Sequence, residues 1–295
     1  MGSLSIILQQ AVNALQLGSS YALLAVGYSM VYGVLRMINF AHADIFMVGA
    51  YIGYFAFLGF RLPFVLCLLL AMFGCALLAI SIERIAYRPL RTAPRLSALI
   101  TAIGVSLTLE HGTRAVIGPE YRPFPAILPK TTFQIGRVYF TVALFWVLVT
   151  SIILMAILSY IVSRTMIGKA MRAISYDREA AMLMGIDVNR IITYTFAIGA
   201  AEAGAAGLMW GLVYPMIYPY MGLIPGIKAF VAAVVGGIGS VPGALVGSFI
   251  LGTIETVTAA FLPSMYRDAL AFGILALVLI FRPAGIFGIG VVEKV

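Results

Sequence analysis

The chain has 295 residues, of which 62% are hydrophobic and 10% charged, and its formal net charge is +8. A soluble domain carries about 25% charged residues, so a soluble globular protein is excluded, and the basic excess calls for a membrane explanation before a nucleic-acid one. The apolar runs are long and continuous and are broken by Gly, Pro and charge clusters, whereas an outer-membrane barrel alternates in segments of about ten residues. At about 20 residues per crossing, they predict an all-α polytopic membrane protein of about eight to ten helical segments, some broken or re-entrant. Residues 1–295 read as a single transmembrane domain with no room for an ATPase. No cleaved signal peptide is expected, since the first eight residues carry no Lys or Arg and no small-residue cleavage pattern follows.

In chain order, spans are expected within 10–35, over 45–60 and over 62–82. Residues 83–95 then hold four arginines, Arg84, Arg88, Arg91 and Arg95, against one acid, Glu83. A fourth span over 97–117 contains Glu110, His111 and Arg114. Residues 118–137 form a Pro-rich loop with three basic residues, Arg122, Lys130 and Arg137, before a fifth span over 138–162. The most polar stretch, 163–190, holds five basic residues and leads into a sixth span over 191–213. After a Pro- and Tyr-rich loop, the apolar region 226–262 is punctured by Gly236, Gly237, Gly239, Pro242 and Gly243 into two short pieces, and a last span covers 268–281.

Lys and Arg in short loops mark the cytoplasmic side. The two richer loops, separated by two spans, are placed there, with 118–137 and the N-terminus outside. Two crossings in 226–262 make nine spans and put Arg282 and Lys294 inside; one crossing reverses the tail.

Several groups are candidates for function. Asn39, His42 and Asp44 cluster between the first two spans. Either they mark a broken helix facing protein or water, because an unpaired polar group in hydrocarbon costs several kcal/mol, or they form an ordinary turn with Asn39 or Asp44 as a cap. The Gly236–Gly243 run lacks the Lys and Ser/Thr of a phosphate-binding loop. It reads instead as an unwound segment, of the kind that lines transport pathways between repeats. Small residues at every fourth position, Gly199, Ala203, Gly207 and Gly211, then Gly239, Gly243 and Gly247, with Gly49 and Gly53, predict close helix packing. Glu110 and Arg114 stand at i and i+4 and are expected to form a local ion pair. Glu202 either lines a polar path or bonds a neighbouring helix, and Glu255 is a third intramembrane acid. With two histidines, and Cys67 and Cys75 eight residues apart along one run, no metal site, disulfide or cofactor is expected. No nucleophile, base and orienting group converge, so no catalysis is expected.

Within 163–190, Asp177 is positioned to cap a short helix over Arg178–Met184, with Gly185 as its left-handed stop. Ala180, Leu183 and Met184 offer an apolar knob and Arg178 and Glu179 offer charges. That combination suits a groove on another protein; a helix lying on the lipid surface is the alternative.

Three blocks, Gly168–Asp187, Gly33–Tyr51 and Lys228–Gly247, resemble in sequence and order the permease subunits of ABC importers for branched-chain amino acids, the LivH type. The chain departs from the family at Ala43, where Gly usually follows Asn-Phe-Ala-His. The resemblance implies a multi-pass subunit of the bacterial inner membrane that pairs with a homologous second permease, two cytoplasmic ABC ATPases and a periplasmic binding protein. It implies that Asp177, Arg178, Glu179, Ala180, Ala181, Leu183, Met184 and Gly185 couple to an ATPase, and that Asn39, His42, Asp44, Glu202, Gly236, Gly237, Gly239 and Gly243 line the pathway. A binding protein that selects cargo first leaves no need for a deep amino-acid pocket here. Urea and short amides, carried by close relatives, are alternative cargoes, and an ion-coupled secondary transporter using Glu110, Glu202 or Glu255 is the rival class.

Overall fold

A computed structural model describes residues 2–288 apart from Thr92, Arg137 and Ser264; Arg137 and Lys294, used above in assigning sides, lie outside the described residues. The chain is an all-helical bundle. Its longer helices are α1 (Gly2–Leu35), α2 (His42–Phe60), α3 (Phe64–Ile82), α4 (Arg95–Ile117), α5 (Val142–Arg164), α8 (Val188–Val213), α9 (Leu223–Gly236), α10 (Val241–Phe261) and α11 (Tyr266–Phe281). Two short helices, α6 (Met166–Tyr176) and α7 (Arg178–Leu183), fill the polar stretch after α5. Among the described residues six helices are long and apolar enough to cross a membrane, and α9 is a shorter apolar helix of 14 residues.

The fifth span begins later than its hydropathy suggests. Residues Val138–Thr141 form strand β3, paired antiparallel with β2 (Thr132–Ile135) through a turn at Gly136, whose φ of +65° suits glycine. The run Val-Tyr-Phe-Thr is β-favouring, and Thr141 then caps α5 by accepting the Leu144 amide at 3.1 Å. This hairpin, and the pairing of Arg122–Pro123 (β1) with Met216–Ile217 (β4), close one end of the bundle. The opposite end carries α6, α7 and the residues following α3, and is the basic end.

Packing is through small residues, because lipid offers no hydrophobic drive between helices. A Cβ on Gly207 of α8 would sit 1.9 Å from the Phe46 carbonyl oxygen of α2, and one on Gly236 of α9 would sit 1.8 Å from the Gly243 oxygen of α10. The α8 glycines serve several neighbours: Gly199 faces α1, Gly207 faces α2, and Gly211 faces Phe124 of the loop after α4. Gly239 does not extend the α10 face, since it lies in the turn before that helix and packs on Gly33 of α1. With Gly252 against Gly18, this sets α10 antiparallel to α1, so within 226–262 α10 alone is long enough to cross while the shorter α9 enters partway, and residue 288 ends beside Gly237 at the basic end.

Two helices start inside the slab. At 34 residues, α1 is about 51 Å long, well beyond the about 30 Å hydrocarbon core. The chain reverses at Arg36, with φ +53°, and residues 36–41 climb back without helix until α2 begins at His42, level with Gly27. Such backbone is tolerated at depth only where protein or water satisfies it. The first turn of α9 abuts the same point: Gly222 touches the Ala43 carbonyl.

Candidate functional site

The N-termini of α2 and α9 meet beside a cavity of about 630 Å³ between α4 on one side and α9 and α11 on the other. Its walls are apolar, formed by Ile103, Leu107, Leu223, Ile227, Phe230 and Phe272, and its polar groups are few. Asp44, in the first turn of α2 and 1% exposed, faces Ser106 and Glu110 of α4, and its Oδ2 is buried with no hydrogen-bond partner. Tyr220, just before α9, completes the polar rim through a contact of 3.3 Å from its hydroxyl to His111 Nδ1. The short helix α9 leaves this gap, which α4 does not fill.

The expected Glu110–Arg114 ion pair is corrected. Among the described residues the two form no salt bridge: Glu110 turns to Asp44, and Arg114, one helical turn further on, donates to the Tyr220 hydroxyl at 3.5 Å. Side chains point along the surface in directions that spacing by itself does not fix.

The other pathway candidates sit apart from this cavity. Asn39 accepts the Tyr87 hydroxyl at 2.7 Å, and so anchors the non-helical 36–41 segment to the end of α3. His42 packs edge-on to Tyr28, with ring centroids 4.7 Å apart, behind the cavity wall. Glu202 is buried in α8, and its Oε2 meets no partner. Gly236, Gly237, Gly239 and Gly243 form the α9–α10 turn at the basic end, where Gly237, with φ +110°, would place a Cβ 2.5 Å from the Gly288 nitrogen.

Two polar groupings are legible only in part from the sequence. Lys228, 7% exposed in α9, binds Glu255 of α10 at 3.0 Å and Asp268 of α11 at 2.7 Å, and the Tyr21 hydroxyl donates to Glu255 at 3.2 Å. A lysine inside the apolar run 223–236 is the available signal. Glu255 also borders a polar cavity of about 390 Å³ with Gln10, Asn13, Gln16, Ser20 and Arg267. At the basic end, fully buried Glu83 pairs with Arg91 and accepts the Thr193 hydroxyl at 2.8 Å, while Arg91 also donates to Asn189 of α8. Burial pushes the Arg91 guanidinium below its ordinary range, and Glu83 pulls it back up.

Next to this cluster stands α7. Asp177 caps it, accepting the Glu179 and Ala180 amides at 2.9 and 3.0 Å, and Gly185 follows with φ +80°. Only Ala181 is buried; Arg178, Glu179 and Ala180 are exposed, and Leu183 and Met184 are 89% and 82% exposed. The preceding α6, capped by Thr165, buries Gly168, Met171 and Ile174 against the bundle, so α7 is held out from it on a fixed arm.

Residues 10–279 match the family described as branched-chain amino acid transport system, permease component. The chain is 42% identical to the high-affinity branched-chain amino acid transport system permease protein BraD of Pseudomonas aeruginosa, over 98% of both chains. It is 40% identical to the LivH permease protein of Salmonella typhimurium, over 98% of this chain and 97% of the relative. A probable branched-chain amino acid transport permease of Methanocaldococcus jannaschii is 26% identical over 90% and 88%. No solved structure matches.

Proposed function

Because the chain belongs to the branched-chain amino acid transport permease family, we propose that it is the membrane subunit of an ATP-driven importer of branched-chain or related hydrophobic amino acids. The basic end faces the cytoplasm, in keeping with the distribution of Lys and Arg, and the N-terminus and the β-capped end face the periplasm. A second, homologous permease completes the pathway, a periplasmic binding protein delivers the cargo, and two cytoplasmic ATPases drive it.

The observation that carries this reading is α7. At the basic end one short helix, capped by Asp177, turns the charges of Arg178 and Glu179 and the apolar side chains of Leu183 and Met184 away from the bundle and buries only Ala181. That is the form of a helix seated in a partner's groove. Arg178 and Glu179 set its register while Leu183 and Met184 fill the groove. Closure of the ATPase pair pushes α7, and through α6 and the Glu83–Arg91–Asn189 cluster tilts α8 and α3, exchanging outward-open and inward-open states.

The test is leucine uptake by proteoliposomes holding the chain with its second permease, ATPases and binding protein. Uptake is expected to require ATP, and Glu179→Arg and Ala180→Arg are expected to abolish it and to release the ATPases on purification. Undiminished uptake in both variants, or uphill leucine transport by the isolated chain, overturns the reading.

A further inference from the structure

We infer that Asp44 and Glu110 form the subsite that takes the ammonium group of an amino acid in transit, with the aliphatic side chain against the α9 and α11 wall. The inference deepens the importer reading and rests on it for the identity of the cargo. Three features converge on the cavity between α4, α9 and α11. First, Asp44 is buried with one carboxylate oxygen lacking any protein donor, and it borders open space. An ionisable group at this depth is expensive unless something pairs with it, and a primary ammonium supplies up to three donors for the two facing carboxyls. Second, the remaining wall is aliphatic and aromatic, with Ile103, Leu107, Ile227 and Phe272 on its two sides. The volume, about 630 Å³, falls within the about 300–1,000 Å³ of small-molecule sites. Third, α9 begins at this same depth, with Tyr220 and Leu223 at the rim. Gly222 abuts Ala43 and Asp44, so the start of α9 sets its apolar wall directly beside the acid pair.

The arrangement matches a primary ammonium carried on an apolar side chain and disfavours anionic solutes. It also explains why Glu110 turns away from Arg114: a salt bridge between them would withdraw a carboxylate from the cavity. Asp44 sits in the first turn of its own helix, where a carboxylate is stabilised by the dipole; that capping role is the alternative the experiment must separate.

Charge-selective thiol labelling does so. Ile227→Cys places a thiol on the cavity wall, and the native Cys67 and Cys75 are fully buried. In the assembled complex, the cationic aminoethyl methanethiosulfonate should react faster than the anionic sulfonatoethyl reagent by about tenfold, after normalisation to free cysteine. Asp44→Asn with Glu110→Gln should bring the ratio near one. In the Ile227 background, Asp44→Asn should lower leucine uptake at least about tenfold while ATP hydrolysis stimulated by the binding protein persists. If Asp44→Asn prevents assembly, Glu110→Gln carries the same two measurements, since α4 packs on few neighbours. A normalised ratio near one in Ile227→Cys, or parental leucine uptake by the doubly substituted complex, overturns the subsite. A wild-type complex inert toward leucine overturns the importer reading instead, and the labelling ratio judges the carboxyl chamber independently of it.

Discussion

Replacing Lys228 with methionine isolates one charge of the buried cluster joining α9, α10 and α11. Its ammonium lies 3.0 Å from Glu255 and 2.7 Å from Asp268. At 3.0 Å and an effective dielectric constant of 20, the attraction to Glu255 is about 5.5 kcal/mol. Desolvating the two ions costs several kcal/mol each, so the pair as a whole contributes little net stability. Removing only the cation is different: Glu255, 3% exposed, keeps its desolvation cost and loses its counter-charge, a change of about 3–5 kcal/mol. Asp268 is half exposed and rehydrates. Lys228→Met should therefore destabilise the protein by about 3–5 kcal/mol, Glu255→Gln should cost less because Lys228 keeps Asp268, and the double variant should recover most of the Lys228→Met loss. Reversible unfolding in mixed micelles, followed by circular dichroism, measures all three. Lys228→Met within about 1 kcal/mol of the parent, or strictly additive losses in the double variant, would refute the reasoning.

Gly207→Leu should prevent α2 and α8 from docking, because the first added carbon already lies 1.9 Å from the Phe46 carbonyl; it should lower the yield of folded protein in detergent chromatography, whereas Gly104→Ala, which meets nothing within 4 Å, should not. Asp177→Ala removes an N-cap worth about 1 kcal/mol, so the Glu179 and Ala180 amides should exchange with deuterium about fivefold faster, while Asp177→Asn should preserve most of their protection. Arg91→Met strands fully buried Glu83 and should cost about 3–5 kcal/mol in the same unfolding experiment, with Glu83→Gln added in cis restoring most of it.

Much of the molecule was readable without coordinates, because it depends on neighbours in sequence. The membrane class followed from apolar runs long enough to span hydrocarbon. The cap at Asp177 and the stop at Gly185 followed from the local chemistry of a helix end. The close contacts at Gly207, Gly243 and Gly247 followed from small residues at helical spacing, although which neighbour each glycine meets did not. Hydropathy misplaced the start of α5, since Val138–Thr141 is as apolar as a span but is committed to a hairpin by its partner strand at Thr132–Ile135.

The candidate site is another matter. Asp44 was visible as a charge near the membrane, but its partner was assigned to the wrong helix turn: spacing paired Glu110 with Arg114, and the fold pairs it with Asp44 on a separate helix. Lys228 and Glu255 are 27 positions apart, and Tyr21 and Glu255 are 234 apart. Composition and periodicity therefore determined that the chain is a bundle of apolar helices with a short capped helix in its most polar stretch. Only the tertiary structure decided that α2 and α9 begin beside one another within the bundle, and so which charges share a chamber. Helices and caps are set by bonds between residues a few positions apart, whereas the meeting of distant carboxyls depends on how whole helices pass one another.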